Sequence, residues 1–214
     1  MPRIDASLTL LYPDRATDDA MRAAAADGFT AYETWWPHPR PDPTDRRLQD
    51  FIDHSRRNGL HLVCLTGYSG AADERGLGTS VLPESVIERH FEALAATVTA
   101  LRSPVVTMLY GNLRHSDRAG RVAAENRFAH LARSGHDPAS AVRAAGGRLA
   151  HLQIADHPGR HEPGTGALDF GALGLALRAT DYRGYIGLEY HPTGLARGPH
   201  LPSALTRAWD GARR

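Results

Sequence analysis

The stretch Leu149–Pro163, LAHLQIADHPGRHEP, sets the reading of this chain. It opens as an apolar strand, L-A-H-L-Q-I-A, with Gln153 set among apolar residues. It closes in a loop that gathers Asp156, His157, Arg160, His161 and Glu162. A buried strand that delivers polar groups at its C-terminal end is the layout of a parallel α/β barrel, whose sites form at that face. A second block of the same kind, YIGLEYHPTG at Tyr185–Gly194, carries Glu189 at the equivalent end. Gln153 and Glu189 are therefore expected to share one pocket.

Outward from these blocks, short apolar runs alternate with helical patterns. Strands are expected at Ile4–Leu11, Thr30–Trp35, Leu60–Thr66, Val105–Tyr110, Leu149–Ile154 and Tyr185–Glu189. Helices are expected at Thr17–Asp27, Pro43–Asn58, Glu84–Leu101, Arg118–Ala132, Pro138–Ala145, Asp169–Thr180 and near His200–Trp209. The pairs Asp27-Gly28 and Asn58-Gly59 end helices just before strands, as glycine caps do. The β-α-β-α order implies a parallel sheet with right-handed crossovers. No Pro-, Ser- or Gly-rich linker divides the chain, so residues 1–214 read as one domain. The rhythm breaks once: the helix at Arg118–Ala132 is followed by another helical stretch with no strand between them. A complete eight-unit barrel typically needs about 250 residues, and this chain has 214, a shortfall of about 36. The expected fold is a parallel (βα) barrel reduced to six strands.

Composition narrows the class of function. Net charge is +1 with neutral histidines, which creates no field suited to nucleic acid. The single cysteine, Cys64, lies inside the apolar run HLVCL, in keeping with a reducing, cytoplasmic compartment. The first residues, MPRIDASLTLLYPD, do not read as a signal peptide, and no apolar run has the length of a membrane span. A small-molecule substrate is the expected partner. If the shortened ring stays open, two strand edges are left bare, which points to a homodimer.

The chain resembles the hydroxypyruvate isomerase family of xylose-isomerase-like TIM barrels, which stands alongside the sugar epimerases and endonuclease IV. The resemblance is carried by HLQIADHPGRHEPGTGALDF at 151–170 and YRGYIGLEYHPTG at 182–194. Further similarity lies in ADGFTAYETWWP, LTGYSGAADERGLGTSVLPES and ASLTLLYPD. It implies a divalent-metal cage built from a Glu on the fifth strand, an Asp on the sixth, a Gln or His on the seventh and a Glu on the eighth. Gln153 matches the seventh-strand position and Glu189 the eighth. The interval between Ala132 and Leu149 is too short for the strands that would carry the other two. A Mg²⁺, Mn²⁺ or Zn²⁺ ion held by Gln153 and Glu189 alone would lack ligands, because hard cations want about six oxygens. Bound metal is expected to be weak or absent.

The resemblance implies isomerisation or epimerisation of a small hydroxylated carbonyl compound. Such chemistry removes a proton alpha to a carbonyl and must stabilise the enediolate. Glu189 and His161 are the expected acid–base groups. Glu33, Arg160, Glu162, Asp156, His157 and His191 are the expected substrate-binding groups, Glu33 by its match to a second-strand Glu of the family. A metal-independent lyase, dehydratase or cyclase on the same scaffold is an alternative, and a non-catalytic binding protein is another. Trp35 and Trp36 read as packing residues, Asp73–Arg75 as part of a lid, and His54, His90, His130 and His136 as solvent-exposed.

Overall fold

The computed structural model describes residues 2–70, 76–77, 82–109, 137–157, 159–194 and 197–211. Among these lie β1 (Arg3–Ser7), α1 (Leu8–Leu11), α2 (Thr17–Ala26), β2 (Ala31–Trp35), α3 (Asp45–Arg57) and β3 (His61–Thr66). They are followed by α4 (Glu84–Leu101), β4 (Val105–Thr107), α5 (Pro138–Ala145), β5 (Leu152–Ile154), α6 (Phe170–Ala179), β6 (Tyr185–Leu188) and α7 (Ser203–Asp210). The strands form one parallel sheet in the order β4-β3-β2-β1-β6-β5, curled into part of a TIM-type barrel. The six strands expected are present among the described residues. Among the described residues the ring is not closed, because no strand pairs with the outer edges of β4 and β5. The expected helix at Arg118–Ala132 and the lid at Asp73–Arg75 lie outside the described residues, as do His130 and His136.

The pleat sorts side chains by parity. On β1, Ile4 and Ala6 turn toward the helices and join the apolar core, whereas Asp5 turns to the lumen. On β2, Tyr32 packs outward, where its hydroxyl donates to Ser55 Oγ of α3 at 2.9 Å in a buried contact. Glu33 therefore points inward. A register irregularity at Tyr32/Glu33 sets Glu33 against Cys64 of β3. On the other side of β1, Asp5 pairs with Gly187 of β6, and Gly187 pairs with Gln153 of β5. One layer of the lumen thus receives residues from opposite ends of the sequence.

Two expectations need correction. The strand read as Ile4–Leu11 stops at Ser7, and Leu8–Leu11 form the short α1 with Leu8, Leu10 and Leu11 buried. A short apolar run has no periodicity to separate buried strand from buried helix. His90, expected in solvent, is fully buried on α4. Its Nδ1 lies 2.9 Å from the Pro41 carbonyl, and its Nε2 accepts the Tyr68 backbone N–H at 3.1 Å. It also meets the Trp36 ring edge-on at 4.7 Å. Trp36 is buried packing, as expected.

Candidate functional site

The lumen gathers buried titratable groups. Asp5 is fully buried and Glu33 is 3 % exposed. Glu33 Oε2 lies 2.8 Å from His151 Nε2 and accepts Gln153 Nε2 at 2.8 Å. Asp5, Glu33 and His151 each place a donor atom within 4.8 Å of the others. Among the described residues, neither carboxylate oxygen of Asp5 nor Oε1 of Glu33 has a hydrogen-bond partner. Burial pushes the Asp5 carboxyl up to about 8; the charge of Glu33 adds to this and His151 opposes it. Burial works against charge on His151, but the hydrogen bond to Glu33 and the charges of Asp5 and Glu33 outweigh it and raise its pKa. Gly187 leaves the room for this arrangement. A Cβ there would lie 3.1 Å from His151 Nε2, 3.2 Å from Glu33 Oε2 and 3.3 Å from Asp5 Oδ2.

Glu189 stands just past the C-terminal end of β6, on the face where sites form in such barrels. Its backbone N–H bonds the Ile154 carbonyl at 3.1 Å, which ties it to the end of β5. The Arg160 guanidinium pairs with its carboxylate and also reaches its carbonyl at 3.3 Å. Burial raises the Glu189 pKa and the charge of Glu33 adds to the rise, while Arg160 and the Trp35 side chain pull against it. Trp35, expected to be packing, thus faces the site carboxylate. Arg160 adopts a left-handed backbone (φ 55°) directly after Gly159 (φ 95°), and this sharp turn presents its side chain. A Cβ on Gly159 would fall 2.4 Å from the His161 ring, so the glycine also seats that imidazole.

The remaining expected site residues separate into two groups. His161 and His191 lie together at the lip, with His161 Nδ1 3.1 Å from the His191 carbonyl. His157 is exposed in the loop that also carries His161. Asp156 and Glu162, in contrast, are buried and already occupied. Asp156 Oδ1 accepts the N–H groups of His157 and Leu168, and Oδ2 accepts those of Gly164 and Gly166, at 2.7–3.1 Å. Glu162 accepts the Thr193 N–H at 2.8 Å and its hydroxyl at 2.9 Å. These two carboxylates shape the loop walls, a role that charged loop residues in a sequence do not disclose.

Of the metal cage implied by the family resemblance, the described residues include Gln153, whose amide N–H donates to Glu33 and leaves Oε1 free, and Glu189, whose carboxylate is already paired with the Arg160 guanidinium. Sequence reading missed Asp5 and His151. An aspartate in RIDAS and a histidine in LAHLQI give no local sign of meeting across a sheet.

Comparison with known proteins agrees with this architecture. A model of the family described as "Xylose isomerase-like TIM barrel" matches residues 127–206, the part that includes β5, β6 and the Gln153 and Glu189 loops. A Streptomyces coelicolor protein named as a candidate hydroxypyruvate isomerase is 27 % identical, across 99 % of this chain and 97 % of its own length. A 2-oxo-tetronate isomerase of Pectobacterium atrosepticum is 24 % identical, across 91 % of this chain and 94 % of its own. A solved structure titled AP endonuclease, family 2, from Brucella melitensis superposes with a TM-score of 0.73 at 21 % identity, covering all of both chains. The resemblance read from the sequence is thereby borne out. The Streptomyces alignment runs over 276 positions against the 214 residues of this chain, so at least 62 positions (276 minus 214) have no counterpart here. That exceeds the shortfall read from typical barrel length and is nearer two βα units than one.

Proposed function

We propose that this chain is an isomerase or epimerase acting on a small hydroxylated carbonyl compound, with Glu189 as its acid–base group. The observation that carries the reading is the Arg160–Glu189 pair at the C-terminal end of β6. A carboxylate raised by burial is a better proton acceptor than one in water, since catalytic efficiency favours a pKa near the working pH. Glu189 would take the proton alpha to the carbonyl. Arg160 would then face the developing enediolate oxygen, where a fixed positive charge in a water-poor site stabilises most. His161, seated at the same lip, would return a proton to the oxygen or the neighbouring carbon, and His157 and His191 would contact substrate hydroxyls. This scheme needs no ion between Gln153 and Glu189. The names of the Streptomyces and Pectobacterium relatives, which cite hydroxypyruvate and 2-oxo-tetronate, support the substrate class.

The test is proton exchange. Hydroxypyruvate and a panel of short hydroxylated ketones and 2-oxo acids are incubated with the protein in D₂O and followed by NMR. The wild type should incorporate deuterium next to the carbonyl of at least one member, and Glu189→Gln should slow this by at least ~100-fold with the fold intact. Absence of exchange with the whole panel, or exchange unchanged in Glu189→Gln, overturns the assignment.

A further inference from the structure

The Asp5–Glu33–His151 cluster is left unused by that chemistry, yet it brings two buried carboxyl groups and an imidazole together. A buried carboxyl oxygen without a hydrogen-bond partner is costly, so it is retained only where something compensates it. Among the described residues three carboxylate oxygens are without a partner, two on Asp5 and one on Glu33. One donor atom from each of Asp5, Glu33 and His151 lies within 4.8 Å of the others, and His151 Nε2 is 2.8 Å from Glu33 Oε2. The floor beneath them is Gly187, where any side chain would crowd all three residues. Gln153, bonded to Glu33, is exposed on β5, the edge strand of the described sheet.

We propose that Asp5, Glu33 and His151 bind one divalent transition-metal ion, of the Zn²⁺ or Mn²⁺ class, deeper in the lumen than Glu189. Two carboxylates balance its charge, and an imidazole nitrogen in the set selects these ions over Mg²⁺ and Ca²⁺. Three protein ligands leave coordination positions for solvent, as in sites that are not closed by a fourth side chain. Gln153 donates its amide N–H to Glu33, where it orients that carboxylate as an outer hydrogen-bond partner does. The site differs from the family's cage, which draws on later strands. It also revises the expectation of weak or absent metal, since that ligand count left out Asp5 and His151. The proposal does not depend on Glu189 being catalytic.

The test measures binding rather than turnover. The full chain is stripped with chelator and titrated with Zn²⁺ against a chromophoric competitor, and bound metal is counted after gel filtration. One Zn²⁺ per chain is expected. Asp5→Asn and Glu33→Gln should each weaken it by at least ~100-fold, while Glu189→Gln should change it by less than ~3-fold. Should those variants fail to fold, Mn²⁺ broadening of NMR signals in the unaltered chain locates the ion: the Gly187 amide should broaden before that of His191. No Zn²⁺ bound by the wild type overturns the proposal and leaves a proton shared between the carboxylates as what compensates them. Binding that survives Asp5→Asn but is lost in Glu189→Gln also overturns it, as does broadening centred on His191.

Discussion

Single carboxylates do three different jobs within a few residues of one another. Glu189 stands half-buried at the rim against Arg160, Asp5 and Glu33 lie buried in the lumen, and Asp156 ties a loop together. Burial acts to raise the pKa of Asp156, but the backbone N–H groups of Gly166, Leu168, His157 and Gly164 outweigh it, and the net effect is a lowered value. A carboxylate whose folded pKa is depressed adds stability above its unfolded pKa of about 4, and that stability is lost as pH falls through the folded value. Residues 156–168 should therefore loosen in acid before the sheet does. Hydrogen exchange followed from about pH 6 down to about pH 3 should show protection at Gly164, Gly166 and Leu168 falling ahead of that at Ile186 and Leu188. Asp156→Asn keeps one accepting oxygen, so it should weaken the loop at neutral pH and remove the early acid step. Uniform loss of protection across both regions would refute this role.

At the scale of elements, helix spacing is set by what is missing as much as by what is present. Gly174 on α6 faces α7, and a Cβ there would lie 2.7 Å from the Leu205 carbonyl oxygen and 3.0 Å from Ala208 Cβ. Alanine gains roughly 1 kcal/mol in helix propensity over glycine, but overpacking costs roughly 1–3 kcal/mol, and a backbone carbonyl cannot rotate away. Gly174→Ala should lower stability by about 1–2 kcal/mol in denaturant titration; a neutral or stabilised variant would show that α7 yields. The elements themselves were largely legible. Glu84–Leu101 and Pro138–Ala145 fall where the 3.6-residue pattern puts them, because each has a continuous apolar face and a clear end. The strands expected from Val105 and Leu149 are longer than β4 and β5, because apolar residues run on after Thr107 in one and start ahead of Leu152 in the other. Gln153 and Glu189 stood out as polar groups ending apolar strands. Asp5 and His151 did not, because the register of β1, β6 and β5 that brings their strands together is a non-local fact.

Over the whole molecule, the sheet among the described residues has two outer edges, β4 and β5. On β4 and just beyond it, Val106 and Met108 are 41 % and 39 % exposed. Unpaired edges and apolar surface tend to be covered in native proteins, and a second copy of the chain can supply that cover. A dimer is the expected state in sedimentation at micromolar concentration, and Val106→Lys, which adds charge at an edge, should shift it toward monomer. A monomer at every concentration would mean that the chain covers its own edges.

The buried His90 links the turn after β2, the turn after β3 and the helix α4. Because Nε2 must accept from Tyr68 while Nδ1 must donate to Pro41, only one neutral tautomer satisfies both bonds. Burial lowers its pKa and so keeps the ring uncharged, although its hydrogen bond to Pro41 works the other way. The imidazole is thus a polarised connector: hydrogen-bond direction runs from the third-strand turn through the ring to the second-strand turn and cannot reverse. Nitrogen-15 shifts of His90 should report a protonated Nδ1 and a bare Nε2 across neutral pH. Two rim loops of the barrel are held in phase by the position of a single proton.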